Sequence, residues 1–225
     1  KPFRLLSRIG SDHPGVFLEF LDRHEIPYLP DTLVGDGPSA SIDIVIRPDG
    51  QPWMDHFVDG VWDGLRLTTA EEEAIAGADS IHGVLTEGVI AEIHRLGASG
   101  VLARPFVSAD FLDFRHYSVA RFAETMRLVD LGFVGWPGDI DDPTVAGIRS
   151  VAVDLGRLVV ITNGPRSVTV FDGRAEAGSR RERSLPVQAI PVTGTTVGCG
   201  DAFVPGLLES CHADGDMGAA VRDGS

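Results

Sequence analysis

Lysine is almost missing from this chain of 225 residues: of 19 basic residues, Lys1 is the only lysine and the rest are arginine. Against 33 acidic residues they leave a net charge of −14. A general nucleic-acid or membrane-surface role, which relies on basic patches, is excluded as an expectation. Any phosphate held here needs local backbone donors, arginine or Mg²⁺. Cysteine is scarce too. Cys199 and Cys211 are too few for a disulfide framework and lack metal-ligand spacing, which fits a reducing compartment. No apolar run approaches the roughly 20 residues that span a bilayer. The start has no signal-peptide pattern, so the expected location is the cytoplasm. The seven histidines show no His-x-His or His-Glu-x-x-His spacing, which argues against a zinc site. There is no Gly-x-Ser-x-Gly and no Gly-x-x-x-x-Gly-Lys-[Ser/Thr], so serine-hydrolase and P-loop chemistry lack support. Internal repeats are absent.

What is present is short apolar runs alternating with longer amphipathic segments, the mark of a largely parallel sheet with helices packed on it. Strands are expected at Arg4–Ile9, Ser80–Leu85, Gly100–Val107, Leu131–Val134 and Leu158–Thr162. Helices are expected at Gly15–His24, with Val16, Phe17 and Phe20 on the buried stripe, and at Glu87–Leu96 and Val119–Leu128. Another starts at Asp142-Pro143, with Asp as cap and Pro at the first helical position. Two stretches break the rhythm. Ala40–Arg47, the turn Pro48-Asp49-Gly50 and an extended run to Val58 read as a hairpin, a small flap spanning residues 38–60. Ser167–Phe171 and Leu185–Pro191, with a turn at Asp172-Gly173, form a second antiparallel patch. Between them, Gly178–Arg183 reads as an exposed hairpin or loop. The whole chain, 1–225, is expected to form one domain.

The segment from Pro191 to Val204 holds the chemistry. A strand ends, a Thr/Gly-rich loop follows, and a helix opens at Gly200 or Asp201 with Ala202, Phe203, Leu207 and Leu208 on its apolar side. A loop entering a helix presents free backbone N–H groups and the positive end of the dipole. Gly198 and Gly200 let an anion approach closely. Asp201, beside that anion site, is either an ordinary helix cap or a base that takes a proton from an attacking hydroxyl.

Thr195-Thr-Val-Gly-Cys-Gly-Asp-Ala-Phe203 resembles the C-terminal signature of the ribokinase-like (PfkB) carbohydrate kinases, Asp-Thr-x-Gly-Ala-Gly-Asp-x-Phe. Arg4–Asp12 followed by Gly15 is similar to the family's early strand–Gly-x-Asp–helix unit, and the 38–60 flap to its β-lid. Thr162-Asn163-Gly164 is similar to its Thr-x-Gly, and Ala109–Arg115 to a strand end near its active site. The resemblance implies a ribokinase-like three-layer α/β sandwich with a mostly parallel central sheet and a small β-lid. It implies phosphorylation of a sugar hydroxyl by ATP with Mg²⁺. Asp201 would be the catalytic base, with the amides of Gly198, Cys199 and Gly200 as the anion hole. Thr162, Gly164, Thr196, Gly198 and Gly200 would border the nucleotide. Asp201, Asp110, Ser39 and Ser41 would meet the substrate. Among subfamilies, Phe57-Val-Asp-Gly-Val61 and Phe111–Phe114 resemble fructoselysine 6-kinase-like proteins. A homodimer through the lid is a further expectation.

The departures bear on cations and completeness. Thr195 stands where the signature has Asp, which bears on monovalent-cation activation. The family's Asn-x-x-Glu aligns with Gly138–Asp141, so Asp141 is either a shortened Mg²⁺ carboxylate or a helix-start residue. Ser167 stands where a second glycine is usual. By family standards a strand with a sugar-binding element is expected before Lys1, and a helix after Ser225. Cys199 is either an activated thiol at a helix N-terminus or a small filler. Trp53 and Trp62 either stack on a sugar or pack the flap, and His56 is either a surface residue or a sugar contact. Competing functions are a non-catalytic sugar- or nucleotide-binding pseudokinase and a nucleoside kinase of the same fold.

Overall fold

The alternation of strands and helices is realised in the computed structural model, which describes residues 3–47, 52–114, 117–175, 181–188 and 196–214. The chain forms two compact units, Lys1–Ala78 with Thr86–Ala103, and Asp79–Leu85 with Arg104–Ser225. The fold combines helices with a mostly parallel central sheet. Among the described residues, no helix is long and apolar enough to cross a membrane.

The first unit contains β1 (Ile9–Gly10), α1 (Pro14–Arg23), α2 (Pro30–Leu33), β2 (Val34–Gly35), β3 (Ser41–Ile46), β4 (Pro52–Val58), α3 (Thr69–Gly77) and α4 (Glu87–Ser99). Of the expected Arg4–Ile9 strand only its end pairs, Ile9 with Val34 and Gly10 with Gly35, in parallel. Leu5 makes a single bridge to Tyr28. The two-residue partner leaves nothing longer to extend along. Helix α1 also turns differently from its apolar pattern. Val16, Phe17 and Phe20 are exposed, and Leu21 is the buried residue, packed with Ile9 and Leu33 and with Leu18 partly covered. The helix thus has more apolar surface than the two-residue strand pair can cover, and the Leu18/Leu21 edge is the one it buries. β3 and β4 pair antiparallel, with an irregularity between Ser41 and Asp43, and both are exposed along their length apart from Pro52. The turn at 48–50 lies outside the described residues.

Charges tie this unit together. The Glu71 carboxylate, fully buried, takes two hydrogen bonds from Arg8 (2.6 and 2.7 Å) and one from the Thr68 N–H (2.8 Å). The Thr68 hydroxyl and the Glu71 N–H complete a capping box at the start of α3, satisfying helix donors that otherwise lack partners. Glu92 in α4 is held by Arg95, the Leu67 N–H and Arg66. Burial alone would raise its pKa; the hydrogen bonds outweigh this and hold it at about 2.

The second unit contains β5 (Ser80–Val84), β6 (Phe106–Asp113), α5 (Val119–Met126), β7 (Leu131–Gly135), α6 (Pro143–Leu155), β8 (Leu158–Thr162), β9 (Ser167–Asp172), β10 (Glu182–Pro186) and α7 (Cys199–Asp214). One sheet runs β10-β9-β8-β7-β6-β5, parallel from β5 to β8 and antiparallel beyond. The expected strand at Gly100–Val107 starts later, because Gly100 ends α4 at φ +80 and a 3-10 turn follows at Val101–Ala103. Glu182 and Arg183, read as part of a loop, are the first residues of β10, and residues 189–191 of the expected partner lie outside the described ones. Asp142 caps α6 by accepting from the Thr144 N–H (2.7 Å), with Pro143 next.

Register sorts the faces, since alternate residues of a strand point to opposite sides. Leu131, Phe133, Leu158, Val160, Val168 and Val170 share one side, where Phe203, Val204 and Leu207 of α7 pack on them. Ala202, expected on that stripe, is exposed, because the buried side of α7 runs through 203, 204 and 207. On the other side Gly132 approaches Met126 of α5. That helix packs with α6, which meets β8 and β9. This gives three layers within the unit.

Two stability results are expected. Glu92→Gln should cost roughly 2–4 kcal/mol by leaving Arg95 and Arg66 short of a buried anion, read as a lower urea midpoint. A carboxyl whose folded pKa lies below its unfolded value stabilises the fold above that unfolded value. Glu92's contribution is therefore lost as pH falls from about 4.5 toward about 2, and the variant should be less acid-sensitive than the parent in that window. Leu207→Ala should cost about 2–5 kcal/mol, because Leu207 is fully buried between helix and sheet.

Candidate active site

The apolar contacts of α7 place its first turn, and with it Asp201, at one end of the sheet's covered face. Gly198 precedes the helix at φ +85, a left-handed conformation that glycine adopts without strain. A Cβ at Gly198 or Gly200 would meet nothing within 4 Å, so the space over this turn is open to a ligand. The Cys199 N–H donates to Thr196 O (3.2 Å) and the Ala202 N–H to Gly198 O (2.9 Å). Of the three amides expected to form the anion hole, that of Cys199 is therefore already engaged. The first amides of a helix have no partner within it, which leaves those of Gly200 and Asp201 facing the open end. Cys199 itself is an exposed free thiol. Thr195 lies outside the described residues.

Asp110 shares that side of the sheet with Asp201. It pairs across with Val84 and Phe133, then the strand bulges before Asp113 pairs with Gly135. The bulge forces Leu112 to φ +55, a strained conformation for a side chain of this kind, costing about 1–2 kcal/mol. The Leu112 N–H donates to Asp110 Oδ1 (2.7 Å), which partly offsets the strain and fixes the carboxylate. Burial pushes the Asp110 carboxyl above its ordinary value. The Leu112 hydrogen bond opposes this, and the negative Asp201 carboxylate adds to it. Bulges beside functional sites re-aim side chains in this way.

Thr162 ends β8, its hydroxyl donating to Val134 O (3.4 Å), and Gly164 follows at φ +54. The residue between them was not singled out by the sequence reading. Asn163 is buried, and its amide donates to Trp136 O (2.7 Å) and Gly138 O (2.9 Å). Arg166 donates to Pro137 O (2.7 Å) and Gly138 O (2.8 Å), and the Trp136 indole to Asp139 O (2.7 Å). These bonds pin the β7–α6 loop against the end of β8. Asp141 lies exposed in that loop, its N–H donating to Asp139 Oδ1 (3.1 Å). Among the described residues no group of three or more His, Cys, Asp or Glu could hold a metal ion. A lone exposed carboxylate suits Mg²⁺ that keeps most of its waters and takes other ligands from phosphates.

The lid-side candidates belong to the first unit. The Ser39 hydroxyl donates to Asp12 Oδ1 (2.8 Å) and accepts from the Gly10 N–H (2.9 Å). That serine is rigidly held, whereas Ser41 is exposed in β3. The Trp62 indole donates to Arg8 O (2.7 Å), which ties it to the body of the unit. Trp53 stacks under Arg47 (4.3 Å), and His56 lies 3.1 Å from Asp43 on the exposed hairpin.

No family model and no curated protein matches the chain. Solved structures do. A ribokinase from Giardia lamblia is 13% identical with a TM-score of 0.72, covering 96% of this chain and 73% of that one. A nucleoside kinase from Burkholderia thailandensis, in complex with inosine, is 17% identical with a TM-score of 0.69, covering 98% and 71%. An adenosine kinase from Sinorhizobium meliloti is 17% identical with a TM-score of 0.71, covering 97% and 68%. At these identities the likeness is one of architecture, and it establishes the fold: the chain has the ribokinase-like α/β fold.

Proposed function

We propose that this protein transfers the γ-phosphoryl group of ATP to a hydroxyl of a sugar, a sugar derivative or a nucleoside. The observation that carries the reading is the position of Asp201 in the first turn of α7, beside open backbone amides. A carboxylate next to an anion site is repelled by phosphate, and that arrangement has a use if the carboxylate takes a proton from the attacking hydroxyl. The similar structures, described as a ribokinase and as nucleoside and adenosine kinases, support the same class.

In this mechanism Asp201 accepts the hydroxyl proton, and the amides of Gly200 and Gly198 donate to the phosphoryl oxygens as charge develops. Thr162, Gly164 and Thr196 border the phosphates. Asp110 orients the acceptor. Bound ATP with Mg²⁺ would supply the phosphoryl group and neutralise part of its charge, and Asp141 would help hold that ion. Within the class, a fructosamine such as fructoselysine is the favoured acceptor, on the resemblance at Phe57–Val61 and Phe111–Phe114. Exposed Ile44, Ile46 and Met54 on the hairpin support its use as a homodimer contact. A cytoplasmic location fits an enzyme supplied by ATP.

A coupled ADP-release assay across sugars, fructosamines and nucleosides tests the reading. At least one acceptor should accelerate ADP release well above the acceptor-free rate. Asp201→Asn should lower kcat by about 10²–10⁴-fold with ATP affinity nearly unchanged. Near-parental turnover in that variant contradicts the mechanism, and a parent silent with every hydroxylated acceptor contradicts the function.

A further inference from the structure

The edge strand β5 presents a histidine on the same side of the sheet as α7. His82 pairs across with Ser108 of β6 and stands diagonally from Asp110, whose register partner is Val84. With strands about 4.8 Å apart and a rise of roughly 3.3 Å per residue, the two Cα atoms lie about 8 Å apart, within reach of one small ligand. Phe133 of β7 meets the imidazole edge-on at 5.8 Å. Asp201 on α7 is the charged group that acts on the ring, and Asp110 on β6 shares its side of the sheet. Its own strand adds Ser80 and Val84, which carry no charge.

The hydrogen bonds set the tautomer. The Ser108 hydroxyl donates its proton to Ile81 O (3.0 Å), so toward His82 it can only accept. The 2.9 Å contact from His82 Nδ1 to Ser108 Oγ therefore has Nδ1 as the N–H donor. A neutral ring protonated at Nδ1 keeps its lone pair on Nε2. Burial in the surrounding fold holds the imidazole below its ordinary pKa, with Asp201 opposing, which favours that neutral form. Packed closely by the surrounding fold, the residue still keeps solvent-accessible surface on the sheet face, and with Nδ1 bonded to Ser108 it is Nε2 that is left for a ligand.

Strand spacing says which substrate the group can touch. β5 lies three strands from β8, which ends in Thr162, or about 14 Å at roughly 4.8 Å per strand. A ligand at His82 is thus not the phosphate bordered by Thr162 and Gly164. The groups around it, Asp110, Asp201 and Nε2, are all hydrogen-bond acceptors. Two carboxylates disfavour an anion, and three acceptors call for donors, as neighbouring hydroxyls supply.

We propose that His82 is a specificity-determining residue of the acceptor site, accepting at Nε2 a hydrogen bond from a second hydroxyl of the substrate, next to the one that reacts at Asp201. Ser108 is its positioning residue. The inference rests on the phosphotransfer reading and adds that the acceptor is a polyol with hydroxyls on neighbouring carbons.

Asparagine places an amide near the Nδ1 position, so His82→Asn keeps a donor for Ser108 and removes the Nε2 acceptor. With the acceptor found active in the ADP-release assay, His82→Asn should raise the acceptor KM about 5–100-fold, the loss of one substrate hydrogen bond. The ATP KM should stay within twofold and the melting temperature should match the parent. The same acceptor lacking the neighbouring hydroxyl should be a poor substrate for the parent and lose little further with His82→Asn. Ser108→Ala should raise the acceptor KM by a smaller factor. An acceptor KM unchanged in His82→Asn overturns this inference and leaves the phosphotransfer reading standing. Equal rises in both KM values, or a lowered melting temperature, assign His82 to structure and also overturn it. A parent without phosphotransfer to any acceptor overturns both.

Discussion

The packing of Phe203, Val204 and Leu207 against Leu131, Phe133, Leu158 and Val160 is the contact on which the candidate site depends. It is apolar and takes no part in proton transfer, yet it decides where the first turn of α7 comes to rest. That turn combines three properties: open amides, the positive end of a helix dipole, and a carboxylate. Were the helix to rotate by one residue, a side-chain shift of about 100° would turn Asp201 away from Asp110 and His82.

The sheet supplies the other half of the arrangement through polarity and register. Four parallel strands end in the same direction, so the residues at their ends gather at one edge, the usual place for ligands in such sheets. The bulge in β6 then departs from regularity where it matters. It holds Leu112 at a positive φ and uses that residue's N–H to hold Asp110. Local strain next to a candidate substrate-binding carboxylate suits a rigid orientation for that group. The pinning of the β7–α6 loop by Asn163, Arg166 and Trp136 does the same for the neighbouring loop that carries Asp141.

Much of this was legible in the sequence, for a reason that differs by element. β8 is a run of Leu, Val and Ile, and β7 has Leu, Phe and Val with two small glycines, as expected of strands buried on both faces, and their limits match the apolar runs closely. Asp142-Pro143 marked a helix start by capping chemistry that is local to four residues. The Gly198–Asp201 turn was legible because glycine and a helix boundary are both written locally. α1 was misread because periodicity finds an apolar face without saying whether the rest of the unit covers it. The Arg4–Ile9 strand shrank to its end because pairing is a property of two segments, and Val34–Gly35 is short. Asn163, Arg166 and Ser108 were invisible because their roles lie in partners 25 to 29 residues away. His82 showed no motif, since its tautomer is set by a neighbour on another strand.

A crystal structure with a non-hydrolysable ATP analogue and an active acceptor is the most direct measurement of the central claim. The account predicts one acceptor hydroxyl within about 2.6–3.2 Å of the Asp201 carboxylate, with the γ-phosphate over the Gly198–Gly200 turn and in line with that hydroxyl. An acceptor bound elsewhere, or an Asp201 carboxylate turned to solvent with both ligands in place, contradicts it.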